Sequence, residues 1–238
     1  MKKAFVVGAS SAIGLAVCRR YLDEGWTVLA QYNRNEAALH DLATRADGRL
    51  ATVRLAFDDP YALEAQLDAC RADYIDSDAL VNCAAKLEPR PFGELDAAIV
   101  LSQLAVNLLP GLLLMRDLGP AMAARGWGRI VHLGSIGTKF GGGHSSFAYA
   151  LSKHALEMLP GECRAWSVRN VLVNVLRVGV TNTGIHQSDT TKNMDERVAL
   201  IPMKRMAEPA EIAAGVWFLG SGVNTYITGQ VISISGGE

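Results

Sequence analysis

Short apolar, β-branched runs alternate with longer helical stretches along the whole of this chain. This alternation constrains the fold most, because apolar strands joined by crossover helices form a mostly parallel sheet that is covered on both faces. We therefore predict a doubly wound α/β fold with about seven parallel strands and helices on both faces. The predicted strands are 4–8, 27–31, 51–55, 79–82, 129–134, 171–176 and 231–233, and the predicted helices are 12–24, 35–46, 60–72, 95–124, 146–166 and 208–219.

Length and charge narrow the class of protein. The 238 residues contain no internal repeat, low-complexity stretch or linker, so we predict one domain over 1–238. The formal net charge is −1 and no basic run is present, which predicts a small-molecule substrate and neither nucleic acid nor a membrane as partner. The four cysteines are widely spaced and form no Cys-x-x-Cys pair, so we predict a cytoplasmic protein without a metal site.

Two apolar segments resemble export or membrane signals. The segment 4–8 follows two lysines but is short and runs directly into serines, which favours a buried strand over a signal peptide. The segment 99–115 is interrupted by polar residues, Pro110 and Gly111, which favours a buried interface helix over a membrane span.

The turn after the first strand is suited to a pyrophosphate. In a Rossmann-type fold the ligand crevice lies at the carboxyl ends of the strands. Gly8 permits a tight turn there, and Gly14 lets the first helix pack close to the sheet. The helix N-terminus attracts an anion, and Ser10 and Ser11 offer hydroxyl donors. Two glycines in such a turn also serve packing alone, so both explanations stay open at this point.

The end of the second strand bears on the choice of dinucleotide. An NAD enzyme places an acidic residue there to bind the ribose 2′-hydroxyl. This chain has Asn33 and Arg34 instead, and an arginine suits a 2′-phosphate. The contrast favours NADP over NAD, with a solvated loop cation as the alternative.

Tyr149 and Lys153 are the strongest catalytic candidates. Four residues make about one helical turn, so both side chains share a face. A nearby ammonium lowers the pKa of a phenol, which makes a general acid/base near neutral pH. Ser135 ends an apolar run, and Asn107 lies in an apolar helix where a polar side chain needs a partner. Structural roles for these four residues are the alternative: core-edge aromatic, solvated cation, strand cap and helix kink.

With these residues in view, the chain resembles the short-chain dehydrogenase/reductase family over essentially its whole length. The turn 8–14, the segments 82–85 and 178–181, and the tail 208–237 are similar to the family's motifs in the same order. Asn107, Ser135, Tyr149 and Lys153 match its catalytic tetrad. The chain departs from the family pattern at Val7, Ala12, Ala56, Cys83, Ala85 and Val178, which affects the expected cofactor contacts.

The resemblance implies hydride transfer between a nicotinamide and a carbonyl or secondary alcohol. In reduction Tyr149 would protonate the alkoxide, Ser135 would donate a hydrogen bond to it, and Lys153 would hold the nicotinamide ribose. Asn107 would bind a water that feeds a proton relay to the lysine. The implied cofactor-binding residues are Gly8, Ser10, Ser11, Ile13, Gly14, Asn33, Arg34, Asn82, Ala84, Tyr149, Lys153, Gly179, Val180 and Thr181.

We therefore expect an NADP-preferring oxidoreductase that forms a homodimer or homotetramer. A non-catalytic dinucleotide-binding regulator, and an epimerase or dehydratase that uses the cofactor transiently, are the alternatives. The polar segment 181–201 has no clear period and is expected to be a substrate loop that includes His186. Lys86, Glu88, Arg90 and His144 are further loop residues that a substrate could contact, and the stretch 177–185 weakly hints at a sugar-related substrate, with ketoacyl reduction equally open.

Overall fold

A computed structural model describes residues 1–185 and 193–238. Its seven strands form one parallel sheet in the order β3-β2-β1-β4-β5-β6-β7. The direction of winding reverses between β1 and β4, which pair directly from Ala4↔Ala79 to Val7↔Asn82. This switch point is where an open α/β sheet leaves a crevice at its carboxyl ends. The predicted doubly wound fold is confirmed.

The element bounds are close to the prediction for strands and less so for helices. The strands are β1 (Lys3–Val7), β2 (Thr27–Tyr32), β3 (Leu50–Arg54), β4 (Ala79–Asn82), β5 (Gly128–Ser135), β6 (Val171–Val178) and β7 (Val231–Ile234). The α-helices in the described part are α1 (Ala12–Asp23), α2 (His40–Arg45), α3 (Pro60–Ala69), α4 (Arg71–Tyr74), α5 (Ala97–Asn107), α6 (Leu109–Arg125), α7 (Phe147–Ala155), α8 (Glu162–Ser167), α9 (Met194–Ala199) and α10 (Pro209–Gly220).

Several predicted helices are broken, for local reasons. The stretch 146–166 divides into α7 and α8 because Pro160 and Gly161 do not favour a helix interior. The stretch 95–124 divides at Leu108, whose φ of −111° departs from the ideal helical value just ahead of Pro110. The segment 181–201 contains the helix α9, although its sequence shows no helical period, and His186 lies outside the described residues.

The sheet is covered by two separate apolar layers. On one face α1 and α10 pack on the strands through residues such as Val17 and Val216. On the other face α3 and α6 contribute Leu63, Leu67 and Leu118. Because both faces are buried, the central strands are mostly apolar, and polar residues within them such as His132 and Asn174 are buried as well.

The α5–α6 region passes a length-and-composition test for a membrane span. Residues Ala97–Arg125 have a window of mean hydropathy 2.0, of which 44% is buried inside the protein. Helices in the core of a soluble protein pass the same test. Here α6 packs against β4 and β5, and α5 packs against α7, which is the arrangement of a core helix pair.

A cluster of aromatic side chains lies at the amino ends of the strands, away from the crevice. Trp26 immediately precedes β2 and Trp127 immediately precedes β5, with ring centroids 6.0 Å apart. Tyr21 packs edge-on against Trp26 and Trp217 at 5.1 Å each. We call these four residues the aromatic cluster.

Candidate active site

A cleft of about 1570 Å³ runs along the carboxyl ends of the strands. It is large compared with the ~300–1,000 Å³ of most small-molecule sites, which leaves room for two ligands side by side. Most of the predicted site residues line it: Gly8, Ser10, Ser11, Ile13, Asn33, Arg34, Ala84, Ser135, Tyr149, Lys153, Gly179, Val180 and Thr181. Gly14, Asn82 and Asn107 do not line it and lie behind its wall.

The glycine turn is compact enough that side chains would collide within it. Gly8 has a φ of +72°, and a Cβ there would lie 2.9 Å from the main chain of Ala84. A Cβ on Gly14 would lie 2.2 Å from the Gly8 carbonyl oxygen. Both positions therefore need glycine, as predicted.

Hydrogen bonds fix this turn in ways that the sequence prediction missed. The Ser11 hydroxyl donates to the Gly8 carbonyl at 2.8 Å and accepts from the Gly14 N–H at 3.0 Å. It acts as the N-cap of α1, and its donation to a phosphate stays a prediction. Gln31 is buried, accepts from the Gly8 N–H at 2.8 Å and donates to the Leu55 carbonyl at 2.7 Å. No local sequence motif indicated that Gln31 would bind the glycine turn.

The edge of the cleft beyond β2 carries a positively charged and a negatively charged side chain. Arg34 lies 3.4 Å from the Asp58 carboxylate, and Asn33 donates to the same oxygen at 3.3 Å. Asp58 lines the cleft while Ala56 does not. The Asp58 carboxylate therefore reaches the cleft edge. It competes for Arg34 with any phosphate bound there.

Tyr149 and Ser135 meet at the centre of the cleft. Burial raises the pKa of Tyr149 to about 12, and a hydrogen bond with the Ser135 side chain opposes this rise. The net pKa of Tyr149 therefore lies above that of a free phenol and not below it as expected, because burial dominates. Ser135 also accepts from the Gly137 N–H at 3.1 Å, which fixes its hydroxyl at the end of β5.

Lys153 is a buried cation held by main-chain oxygens. Its side chain donates to the Ala84 carbonyl at 2.8 Å and the Leu133 carbonyl at 3.0 Å, and the residue is 1% exposed. Burial lowers its pKa to about 8, which the neighbouring Cys83 partly offsets. At pH 7 the amine therefore stays charged, next to the cleft and at the ends of β4 and β5.

Asn107 clamps the loop after β4 instead of facing the cleft. Its Oδ1 accepts from the Lys86 N–H at 2.6 Å, and its Nδ2 donates to the Lys86 carbonyl at 2.9 Å and to the Ser152 hydroxyl at 2.8 Å. The Ser152 hydroxyl donates in turn to the Tyr149 carbonyl at 2.8 Å. Both polar atoms of the Asn107 side chain are therefore hydrogen-bonded. Asn107 is connected to Tyr149 through the Ser152 hydroxyl.

Asn82 has a supporting place as well. It is fully buried at the end of β4, and its Oδ1 accepts from the Ala84 N–H at 3.2 Å. Ala84 therefore faces the cleft while Asn82 shapes the bend beneath it. On the opposite wall, Thr181 donates to the Gly179 carbonyl at 3.0 Å and tightens the turn after β6.

The part of the cleft beyond the tyrosine contains two charged residues that the sequence did not single out. Arg197 on α9 and Glu238 after β7 both line it. His144 also lines it, as considered from the sequence, and so does Lys86 near the clamp. Within residues 1–185 and 193–238 no group of three or more His, Cys, Asp or Glu side chains has the geometry of a metal site.

The fold and cleft place the chain in the class of nucleotide-binding α/β proteins. A family model described as enoyl-(acyl carrier protein) reductase matches residues 8–238. The chain therefore belongs to the short-chain dehydrogenase/reductase family. The resemblance predicted from its motifs and the prediction of an oxidoreductase of this family are confirmed.

Relatives of this chain differ in the substrates their names state. A galactitol 2-dehydrogenase (L-tagatose-forming) from Cereibacter sphaeroides is 34% identical and covers 98% of this chain and 93% of its own length. A 3-oxoacyl (acyl-carrier-protein) reductase from Agrobacterium tumefaciens C58, solved with NADP bound, has 26% identity and a TM-score of 0.87 over 100% of this chain and 94% of its own. A structure described as a gluconate 5-dehydrogenase from Beutenbergia cavernae with bound NADP has 30% identity and a TM-score of 0.89, over 99% and 96%.

Proposed function

We propose that this protein is an NADP-preferring oxidoreductase that interconverts a carbonyl and a secondary alcohol, with Tyr149 as general acid/base. The observation that carries the proposal is that Tyr149, Ser135 and Lys153 line the same cleft, with the Lys153 ammonium held by two main-chain carbonyls. A phenol and a hydroxyl that share a cleft wall can both reach one substrate oxygen.

The residues present fit a dinucleotide. The turn has no room for a side chain at Gly8 or at Gly14. It leads into the N-terminus of α1, and a helix N-terminus attracts phosphate. When bound, the nicotinamide supplies or accepts the hydride. We propose that Lys153 holds the ribose and that Arg34 meets the 2′-phosphate after leaving Asp58. The bound NADP of two similar structures supports this choice of dinucleotide.

The raised pKa of Tyr149 suits the direction of reduction. A phenol with a pKa of about 12 stays protonated at neutral pH and can donate its proton to the developing alkoxide. Ser135 stabilises the same oxygen with its hydroxyl. The Lys153 charge stabilises the phenolate that proton donation leaves behind. In oxidation the same groups act in reverse order.

Replacing Tyr149 tests this proposal. Tyr149→Phe removes the proton donor, so turnover should fall by about 10²–10⁴-fold, while the Kd for NADPH should change little. The matched control is Tyr226→Phe, because Tyr226 is 93% exposed and lies outside the cleft. Steady-state loss of NADPH absorbance and equilibrium binding measure the two quantities. Unchanged turnover in Tyr149→Phe would refute the mechanism.

Three further features of the proposal follow the family pattern. We propose a single domain over 1–238, a cytoplasmic location, and a homodimer or homotetramer. Exposed apolar side chains on α5 and α7, Leu101 and Leu151, support subunit contact through this helix pair. Two residues support the proposal that 181–201 is a substrate loop. Thr181 at the start of this segment and Arg197 near its end both line the cleft.

A further inference from the structure

One ion pair forms part of the cleft wall on the far side of the tyrosine. The Arg197 guanidinium lies 2.5 Å from Oε1 of Glu238, with side chains 19% and 8% exposed. The main-chain oxygen of Glu238 accepts from Lys139 Nζ at 3.1 Å and from the Ser235 hydroxyl at 3.0 Å. Glu238 is therefore held from two sides, and it holds the arginine in the cleft wall.

The pair has unused hydrogen-bonding capacity of both kinds. Within the described residues, Oε2 of Glu238 is buried and has no hydrogen-bond partner, which is an unfavourable state for a carboxylate oxygen. Arg197 retains exposed surface in the cleft, and a guanidinium carries five N–H donors. A ligand group that both donates and accepts would satisfy both partners at once, after a rotation of the Glu238 carboxylate that brings Oε2 to the cleft surface.

A hydroxyl group is such a ligand, and the alternatives fit less well. A substrate carboxylate would meet the negative charge of Glu238, and the arginine charge that would attract it is already compensated. An acyl chain would leave the carboxylate oxygen without a donor. Phe140, Leu200 and Pro202 line the same part of the cleft, and their apolar surface strengthens the discrimination between polar groups.

We propose that the Arg197–Glu238 pair is a specificity determinant that selects neutral, hydroxyl-rich substrates, namely polyols and the matching ketoses. The pair orients the substrate by a hydroxyl distant from the reacting carbon. This inference rests on the proposed oxidoreductase function and adds the substrate class to it.

A comparison of three substrate classes tests the inference. The probes are galactitol and gluconate, oxidised with NADP⁺, and acetoacetyl-CoA, reduced with NADPH. We expect kcat/KM of the unaltered enzyme to be higher for galactitol than for gluconate, both assayed in the direction of oxidation, and we expect acetoacetyl-CoA not to be reduced above the background rate. Glu238→Gln leaves the arginine charge uncompensated, so kcat/KM should fall for galactitol and rise for gluconate, changing their ratio by about tenfold or more.

The control carries the same change of charge outside the cleft. Glu196 lies next to Arg197 on α9, is exposed and does not line the cleft, so Glu196→Gln should leave the ratio unchanged. Arg197→Lys keeps the charge but loses the planar fork, and it should raise the KM for galactitol more than it lowers kcat. This second variant decides the matter if Glu238→Gln does not fold.

The two proposals fail in different ways. An unchanged galactitol-to-gluconate ratio in Glu238→Gln, a preference of the unaltered enzyme for gluconate, or reduction of acetoacetyl-CoA above the background rate would overturn the substrate class and leave the oxidoreductase function standing. If no carbonyl or alcohol of any class is turned over although NADPH binds, the oxidoreductase function itself is refuted, and the substrate class with it.

Discussion

The clamp at Asn107 gives a quantitative prediction that separates two roles for this residue. Asn107→Ala removes hydrogen bonds to the N–H and carbonyl of Lys86 and to the Ser152 hydroxyl. Each half-buried main-chain group left without a partner costs ~1–3 kcal/mol, whereas the higher helix propensity of alanine returns at most ~0.7 kcal/mol. We therefore expect the free energy of unfolding to fall by about 3 kcal/mol.

Thermal unfolding and activity together provide the assay. A loss of about 3 kcal/mol lowers Tm by roughly 6–12 °C in a protein of this size. Ser152→Ala is the matched control, because it removes only one of the three Asn107 contacts, together with the bond from the Ser152 hydroxyl to the Tyr149 carbonyl, and it should cost about 1 kcal/mol. Activity per folded molecule should fall only modestly for Asn107→Ala when it is assayed well below Tm.

The opposite result would restore the role implied by the family resemblance. If Asn107 acts in a proton relay to Lys153, then Asn107→Ala should melt close to the unaltered enzyme while kcat falls by orders of magnitude. That outcome would refute the reasoning from the clamp.

Two further predictions concern the charged residues of the cleft. Arg34→Ala should raise the Kd for NADPH about tenfold and leave the Kd for NADH nearly unchanged. Asp58→Asn should lower the Kd for NADPH, because it removes the carboxylate that competes for Arg34. Calorimetry measures these constants, and equal effects on both dinucleotides would count against an NADP preference. In reduction both Tyr149 and Lys153 must be protonated, and with pKa values of about 12 and about 8 the lysine loses its proton first as pH rises. The value of kcat/KM for NADPH should therefore decline above about pH 8, and a profile that stays flat to pH 10 would show that the lysine charge is not required.

Local patterns predicted the sheet well because each strand carries its own signal. The residues of β4 are the predicted ones, and Gly8 and Gly14 occupy the tight turn that their spacing indicated. The tetrad positions were visible for the same reason, since Tyr149 and Lys153 are one turn apart on α7. In such cases the chemistry and the geometry lie within one element.

Contacts between distant residues were not predictable in this way. Gln31 on β2 accepts a hydrogen bond from Gly8, which follows the neighbouring strand β1. Asn107 accepts a hydrogen bond from Lys86 in the loop after β4. The Arg197–Glu238 pair depends on where α9 docks, and no pattern within 181–201 indicated a helix. The pKa of Tyr149 likewise depends on burial, which the helical spacing of a nearby lysine does not reveal.

The aromatic cluster determines what optical signals of this protein can report. Trp26, Trp127 and Trp217 belong to the aromatic cluster, and Trp166 packs against Gly119 on α6. None of these four tryptophans lines the cleft. Their emission reports the packing of helices on the sheet, and a ligand at the carboxyl edge makes no direct contact with any of them. A ligand that does not absorb tryptophan emission should therefore leave the intrinsic fluorescence unchanged, whereas NADPH, which absorbs it, should quench it by energy transfer without contact.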